Sequence, residues 1–141
     1  MRRGGSRREQ IASGDVRVVY GRVALGRDEP VIAVVRREED ARALEAEVLG
    51  QYPEARVMWE TLPMSQACDT VHILFQTSGE PDALDVANPV GVGAFADRTT
   101  AEREREALAS DGRDYIVGSF PLGWRRAGWP CAADSLSRRP R

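Results

Sequence analysis

Lysine is absent from this sequence of 141 residues, and all 20 basic residues are arginine. Because a guanidinium stays charged where an amine can titrate, the absence excludes Schiff-base catalysis, a phosphate-loop lysine and a lysine general base. Histidine occurs only as His72, and cysteine only as Cys68 and Cys131. With so few imidazoles and thiols, the sequence indicates no zinc-type cluster, no disulfide framework and no cofactor site.

Long hydrophobic runs are missing as well. The longest, such as VIAVV at 31–35, are far shorter than the roughly 20 apolar residues of a membrane-spanning helix. The N-terminal MRRGGSRREQ is basic, but the apolar stretch of about 7 to 15 residues that a signal peptide needs does not follow it. We therefore expect a cytoplasmic protein that does not enter a membrane. The hydrophobic content of 42% is enough for one compact core.

Charge is unevenly distributed along the chain. Residues 1–10 hold four Arg and one Glu, residues 125–141 hold five Arg and one Asp, and the remainder holds 11 Arg against 20 acids. The pattern predicts an acidic body between two basic, disordered tails at 1–14 and 125–141. Basic tails can also bind nucleic acid, but here few aromatics are interleaved, so this alternative is less favoured.

The first half of the body corresponds to the second half, which indicates an internal duplication. The clearest match joins VRVVY to VHILF, both with the alternating pattern of a half-buried strand. The three offsets are 55, 60 and 58, so the changes in length fall between elements, where insertions cost little. The matched segments are 16–20 with 71–75, 31–49 with 91–109, and 57–64 with 115–122.

Each copy predicts the order strand, strand, helix, strand. A right-handed strand, helix, strand connection puts the third strand beside the first, which gives the local order 2-1-3 with antiparallel neighbours. We expect an α+β protein of two ββαβ repeats, 15–64 and 65–124, in a mainly antiparallel six-stranded arrangement with two helices. The repeats would share one sheet or pack face to face. Predicted strands are 15–21, 31–36, 56–62, 70–76, 90–96 and 114–120, and predicted helices are 38–50 and 99–110.

The ends of the predicted helices carry cap and stop signals. Thr99 or Thr100 is the expected N-cap of the second helix, because a short side-chain oxygen can accept from the first free N–H groups. Gly50 and Gly112 are the expected stops of the first and second helix.

The second copy contains VHILF, a GAF strand, helical Ala101 and Leu108, and the ending YIVGSFPLGW. With these motifs it resembles small uncharacterised ββαβ domains of actinobacteria and their phages. It implies two such units over 15–124 and an accessory protein of actinobacterial or phage origin. The family has no assigned activity, so the resemblance implies no site.

The stretch GAFADRTTAEREREALASDG of the second copy is similar to half of a sporulation-related repeat domain. In that repeat, G-x-F is followed at fixed spacing by Ala, Leu and Gly, and the domains are βαββαβ folds that bind peptide-free glycan strands of the septal wall. The resemblance implies glycan-strand binding as an alternative function. The first copy lacks the G-x-F pair, and each copy has an additional leading strand. The matching residues are Gly93, Phe95, Ala101, Leu108 and Gly112.

Gly91, Gly93 and Ala96 have the spacing of a dinucleotide-binding fingerprint. In the fingerprint the glycines form the turn between a strand and a helix, with the pyrophosphate at the helix N-terminus. Here Gly91 and Gly93 alternate with apolar residues inside a predicted strand. The pattern therefore predicts glycines that leave room beside the strand for a helix or a bulge, not a nucleotide site.

Cys68 and His72 are the candidates for a nucleophile and its base, and a small enzyme built on them is a further alternative. They are separated by four residues, or about 13 Å of extended chain, so an ordinary surface histidine is the favoured interpretation. The carboxylates of both predicted helices stand beside arginines, a pattern typical of a solvated face. We therefore assign no catalytic residue.

Aromatic residues are better candidates for recognition. Those in the alternating strands are expected in the core, whereas the Trp/Arg segment that follows the last predicted strand either folds back or presents a surface to a partner. We predict a non-enzymatic interaction module for a protein partner, which binds through an uncovered sheet face, an exposed edge strand or this segment. The expected core aromatics are Tyr20, Trp59 and Phe75. The candidate partner-binding residues are Trp124, Arg125, Arg126 and Trp129.

Overall fold

A computed structural model of the chain describes residues 14–24, 29–64, 66, 68–77 and 89–129. Each strand and helix predicted from the sequence patterns is present, with ends that differ by two residues or fewer. The strands are β1 (Val16–Arg22), β2 (Val31–Val35), β3 (Arg56–Leu62), β4 (Thr70–Thr77), β5 (Val90–Phe95), β6 (Asp114–Pro121) and β7 (Trp124–Arg125). The helices are α1 (Glu38–Gln51) and α2 (Arg98–Leu108), and a 3-10 turn, Ala109–Asp111, follows α2.

The strands form two separate antiparallel sheets. The order is β3-β1-β2-β7 in the four-stranded sheet and β5-β4-β6 in the three-stranded sheet. Within each half, the local order 2-1-3 with antiparallel neighbours is therefore present as predicted. The expected six-stranded sheet is wrong, because the two halves pack face to face. A ββαβ half has a helix on only one sheet face, and face-to-face packing buries both uncovered faces at once.

Three apolar clusters hold these layers together. The central cluster lies between the sheets and includes Val18 of β1 and Ile73 of β4. On the outer face of the four-stranded sheet, Leu44 and Val48 of α1 pack against a second cluster. Ala101 of α2 packs in the third cluster, on the outer face of the three-stranded sheet. The fold is a sandwich in the order helix, sheet, sheet, helix, in which Val90 and Val92 of β5 stay largely exposed.

The expected core aromatics divide into two groups. Tyr20 and Phe75 are buried in the central cluster, with exposed fractions of 5% and 0%, as predicted. Trp59 is half-buried beside the α1 cluster, and the guanidinium of Arg42 lies 5.7 Å from the centre of its ring. Trp59 therefore covers the edge of the core rather than filling it.

Each of the two hairpins contains a bulge. Ile32 has no partner in the pairing of β1 with β2, and Val92 has none in the pairing of β4 with β5. An extra residue of this kind increases the local twist and bends the strand that carries it. The bulges lie at matching places in the two hairpins.

Helix α2 begins differently from the expectation. Its N-cap is Asp97, not Thr99 or Thr100, and the Asp97 carboxylate accepts from the backbone N–H and the hydroxyl of Thr100, both at 2.9 Å. A charged oxygen at the cap is the stronger acceptor, and Thr100 serves as the donor. Gly50 does not stop α1, which continues one residue beyond it. Gly112 ends the turn after α2 in the left-handed conformation, at φ 84°.

The sequence does not predict β7. Gly123, at φ 92°, turns the chain out of β6, and its N–H donates to the Val34 carbonyl at 2.8 Å. β7 then pairs with β2, so the predicted boundary between body and tail falls inside a strand. Two residues are too few to show an alternating pattern. The rest of the two predicted tails, 1–13 and 130–141, lies outside the described residues.

Candidate functional site

The structure does not bring the two candidate catalytic side chains together. Cys68 packs against the cluster between the sheets, where burial raises the pKa of its thiol. His72 lies on the opposite face of β4, since its neighbours Val71 and Ile73 fill that central cluster. The two groups therefore face different layers of the sandwich. Cys131 lies outside the described residues.

The glycines of the fingerprint lie inside β5, as predicted. A β-carbon at Gly91 would lie 2.8 Å from Glu60 Oε1 and 3.1 Å from Leu62 Cδ1, so a side chain there would collide with β3. The Gly91 N–H donates to that same Glu60 oxygen at 2.8 Å. The absence of a side chain at this position therefore serves the close approach of the two sheets.

Glu60 is also bonded to the central core. The Tyr20 hydroxyl donates to Glu60 Oε1 at 2.6 Å. Burial, together with this bond, raises the pKa of Tyr20 above its usual range. Tyr20, Glu60 and Gly91 therefore form a polar link whose role is to join the sheets.

Packing accounts for the five positions that resemble a sporulation-related repeat. The Phe95 ring lies over Gly93, within 3.1 Å of where a β-carbon would be. Ala101 is buried under α2 with Leu108 beside it, and Gly112 ends the following turn. Glycan-strand binding stays a prediction, because no sugar-specific group follows from these contacts.

The candidate partner-binding residues divide between the two faces of the four-stranded sheet. Trp124 pairs with Val34 and packs toward the three-stranded sheet, with its ring centre 5.0 Å from that of Phe120. The guanidinium of Arg126 lies 5.7 Å from the centre of the Trp124 ring, and its Nε donates to the Val31 carbonyl at 2.8 Å. Trp124 therefore contacts β6, whereas Arg126 is bonded to β2.

The other two candidates lie on the α1 side. Arg125 forms an ion pair with Glu47 of α1 at 3.2 Å. The Trp129 ring covers Gly21, where a β-carbon would lie only 2.6 Å from the ring. The four residues therefore do not form one surface, and Arg125 and Trp129 anchor the end of the described chain to the fold.

A second polar cluster, which the sequence does not indicate, lies where α2 starts against β4 and β6. His72 and Ser119 are opposite each other in the ladder, and His72 Nδ1 is 2.8 Å from Ser119 Oγ. Arg98, the first residue of α2, donates from Nη1 to the same oxygen at 2.7 Å. We call these three residues the Arg98 cluster. Strand register brings them together, and register is not visible in the sequence.

The surroundings of the Arg98 cluster hold charges of both signs. Glu102 Oε2 accepts from Arg98 at 3.1 Å, and Oε1 accepts from Arg105 at 2.8 Å. The bond from Arg105 holds the pKa of Glu102 below its usual value, so the carboxylate is ionised at neutral pH. Asp97 is engaged by Thr100 at the helix cap. One carboxylate is thus shared by two guanidinium groups.

β6 forms an open edge. It is the outer strand of its sheet, and no strand of the described part of the chain pairs with its other side. The Leu122 N–H donates to the Asp69 carbonyl at 2.9 Å. This bond shows which residues of β6 direct their main-chain groups toward β4 and which direct them away. Every second residue of such a strand directs its N–H and C=O away from its partner. Leu122, Phe120 and Gly118 therefore direct their N–H and C=O groups toward β4. Ser119 and Val117, which lie between them, direct these groups to the open edge.

The other outer strands carry features that oppose strand addition. β7 has two residues, β5 is bulged at Val92, and β3 carries Arg56 and Glu60. Between Tyr115 and Phe120, by contrast, β6 has no charged residue, no proline and no bulge. Among the outer strands that the structure describes, β6 is therefore the least protected.

Other chemistries find little support in the described residues. Glu38 of α1 is paired with Arg42, as expected for a solvated helix face. No group of three or more His, Cys, Asp or Glu side chains in the described ranges could hold a metal ion. None of the helices described is both long and apolar enough to cross a membrane.

No family model, curated protein or solved structure matches this chain. The resemblances to actinobacterial and phage domains and to sporulation-related repeats therefore stay predictions. Fold and site together define a class of protein: an α+β sandwich of two antiparallel sheets between two helices, with an open edge strand that is uncharged from Tyr115 to Phe120.

Proposed function

We propose that this protein is a non-enzymatic interaction module that adds an extended segment of a partner protein to the open edge of β6. The observation that carries the proposal is the edge itself, where Val117 and Ser119 present main-chain donors and acceptors on an uninterrupted strand. In strand addition, main-chain hydrogen bonds supply affinity and the neighbouring side chains supply specificity.

Two further features of the fold support β6 as the binding element. The two sheets bury their inner faces against each other and a helix packs on each outer face, so within the described residues the large exposed apolar side chains of the sheets are limited to Met58, Val90 and Val92. Ile116 and Trp124 are only partly buried at the central cluster, and Trp124 is in contact with Phe120 of β6. An added strand would therefore gain apolar contacts on the side that faces the four-stranded sheet.

Charge favours a different protein over a second copy of this chain. Antiparallel pairing of β6 with β6 of another copy would place two Arg98 clusters close together. Each cluster contains the Arg98 guanidinium, so this pairing would bring two like charges close together, and they would repel one another. A partner segment without this positive charge avoids the repulsion.

The experiment uses Ser119→Pro and Ser119→Ala in the full chain. Proline at position 119 removes the N–H that points to the open edge and breaks no bond to β4. Proline also restricts the backbone of the residue before it, and glycine at position 118 tolerates that restriction. Alanine removes the hydroxyl and keeps the N–H. A display library of random linear peptides is panned on the wild type, and the selected peptides are measured against both variants, each checked for folding by circular dichroism.

Selected peptides should alternate apolar and polar residues, bind Ser119→Ala, and lose binding to Ser119→Pro. Peptides that bind the folded proline variant as well as the wild type would place the site elsewhere. Self-association that Ser119→Pro abolishes would make a second copy the occupant and would overturn the choice of partner.

We also infer that the two halves arose by internal duplication. The support is the shared order of strand, strand, helix, strand, the same local strand order, and bulges at the matching positions Ile32 and Val92. β7 belongs only to the second half. An engineered chain that joins two copies of 69–129 should fold with the same circular dichroism spectrum if the halves are equivalent, and an unfolded product would argue against equivalence.

A further inference from the structure

We propose that the segment added to β6 carries an acidic side chain opposite Ser119, and that the Arg98 cluster binds its carboxylate. The inference rests on the proposed function, because it assumes that a strand docks at this edge. It adds the chemical class of the partner: an extended, acidic segment in place of an arbitrary one.

The register of the ladder fixes where the acidic side chain would lie. Ser119 directs its N–H and C=O to the open edge, so the partner residue opposite it would form a hydrogen-bonded pair with it. Side chains of opposite residues project from the same face, with β-carbons about 5 Å apart. The Ser119 side chain lies on the α2 face, against His72 and Arg98. The partner side chain would therefore stand on that face, beside the cluster.

The cluster offers donors to an anion at this point. Arg98 uses Nη1 for Ser119 and Nη2 for Glu102, and each of these nitrogens carries a second N–H. The Arg98 side chain is 52% exposed, so an incoming group can reach it. Glu102 is shared with Arg105, which leaves Arg98 only partly neutralised. A carboxylate opposite Ser119 would accept a charge-assisted hydrogen bond from Arg98.

The side of β6 that faces the central cluster determines which partner residues should flank the acidic one. Partner residues on either side of the acidic one would lie opposite Gly118 and Phe120, and their side chains would face the central cluster. Gly118 is buried and has no side chain, and Phe120 is in contact with Trp124. Apolar residues suit both positions. The expected partner pattern is apolar, acidic, apolar within an extended segment.

The test uses synthetic eight-residue peptides with a valine on each side of one variable position and polar residues elsewhere. The variable residue is glutamate, glutamine or lysine. Calorimetric titration measures their affinity for the full chain as wild type, Arg98→Ala, Ser119→Pro and Arg125→Ala. Arg125→Ala is the matched control, because Arg125 pairs with Glu47 on the α1 side and does not belong to the cluster.

The glutamate peptide should bind the wild type about ten-fold more tightly than the glutamine peptide, and the lysine peptide more weakly than either. Arg98→Ala should remove the difference between glutamate and glutamine, and Arg125→Ala should retain it. Added salt should weaken the glutamate peptide selectively.

The two proposals fail in different ways. If glutamate and glutamine peptides bind the wild type equally and Ser119→Pro abolishes both, strand addition stands and the acidic preference is wrong. If Ser119→Pro binds every peptide as the wild type does, β6 is not the docking edge and both proposals fail. If Arg98→Ala still prefers the glutamate peptide, another cationic side chain binds the peptide carboxylate, and the role assigned to the Arg98 cluster is wrong.

Discussion

Glu60 on β3 accepts a 2.8 Å hydrogen bond from the backbone N–H of Gly91 on β5, so a carboxylate of one sheet is bonded to the main chain of the other. Tyr20 donates to the same oxygen from within the core. β5 and β6 are the two outer strands of the three-stranded sheet. The link therefore closes one side of the sandwich, and the open edge of β6 lies on the other.

Removal of the shared acceptor should destabilise the fold. Glu60→Ala leaves the Tyr20 hydroxyl and the Gly91 N–H without their partner, and we expect the free energy of unfolding to fall by about 1 to 3 kcal/mol. Glu60→Gln keeps an acceptor oxygen and should lose less. The measurement is urea unfolding, with Glu106→Ala on the exposed face of α2 as the control. Equal stability of Glu60→Ala and the control would show that the link contributes nothing.

Gly91 should tolerate no side chain, whereas Gly50 should. Gly91→Ala places a β-carbon 2.8 Å from Glu60 Oε1, so the Glu60 carboxylate must move away from its bonds to Tyr20 and Gly91, and the free energy of unfolding should fall by about 1 to 3 kcal/mol. At Gly50, in the last turn of α1, no atom lies within 4 Å of the added carbon. Gly50→Ala should be neutral or stabilising by up to about 1 kcal/mol. The account of β5 fails if thermal and urea unfolding rank the two variants in the opposite order.

Trp129 and Gly21 should behave as one contact. The half-buried Trp129 ring covers Gly21, so Trp129→Ala should cost about 2 kcal/mol and Gly21→Ala a similar amount, because its β-carbon displaces the ring. In the double variant the ring is already gone, and the total should be smaller than the sum by about 1 kcal/mol. A double-mutant cycle of urea unfolding measures this coupling. Strict additivity would mean that residues 127–129 do not dock on β1.

The cap of α2 should give a pH-dependent stabilisation. Bonds from Thr100 hold the pKa of Asp97 below its ordinary value of 3.8, so the folded state binds this proton less readily than the unfolded state. The contribution is therefore present above pH 3.8 and is lost as pH falls through the folded-state pKa. Asp97→Ala should lower the melting temperature at pH 7, and the difference from the wild type should shrink at pH 3 and below.

Asp97→Asn is the matched control for the cap, because the amide oxygen accepts the same bond and does not titrate. Its melting temperature should stay close to that of the wild type at pH 7. An Asp97→Ala deficit that is unchanged from pH 7 to pH 2 would mean that the carboxylate is not the stabilising group.

The sequence predicts the elements of this fold because their signals are local. The alternation in VRVVY and VHILF and the helical spacing of Ala101 and Leu108 are each visible within a few residues. The arrangement of the two halves is not local. A ββαβ unit with one uncovered face can join another at an edge or pack against it, and the apolar pattern is the same in both cases. For this reason the sequence left both arrangements open, and the structure has two packed sheets and not one six-stranded sheet.

The candidate site was less predictable, since it depends on register. His72 and Ser119 are 47 positions apart, and only the pairing of β4 with β6 places them together. The Trp/Arg segment carries a clear aromatic and cationic signal, but a two-residue strand decides that Trp124 faces the core while Arg125 faces α1. The composition of this segment could suggest a partner-binding surface. It could not show that Arg125 and Trp129 anchor the chain on the α1 side while Trp124 contacts Phe120 of β6.

Amide hydrogen exchange, followed by NMR on the isolated wild-type protein, tests the open edge of β6 most directly. The N–H groups of Val117 and Ser119 should exchange at least about 100-fold faster than those of Ile116 and Gly118, which are bonded to β4. A bound glutamate peptide should then slow the first pair and leave the second unchanged. Equal protection of all four amides in the isolated protein would mean that the edge is already covered, and would contradict the account.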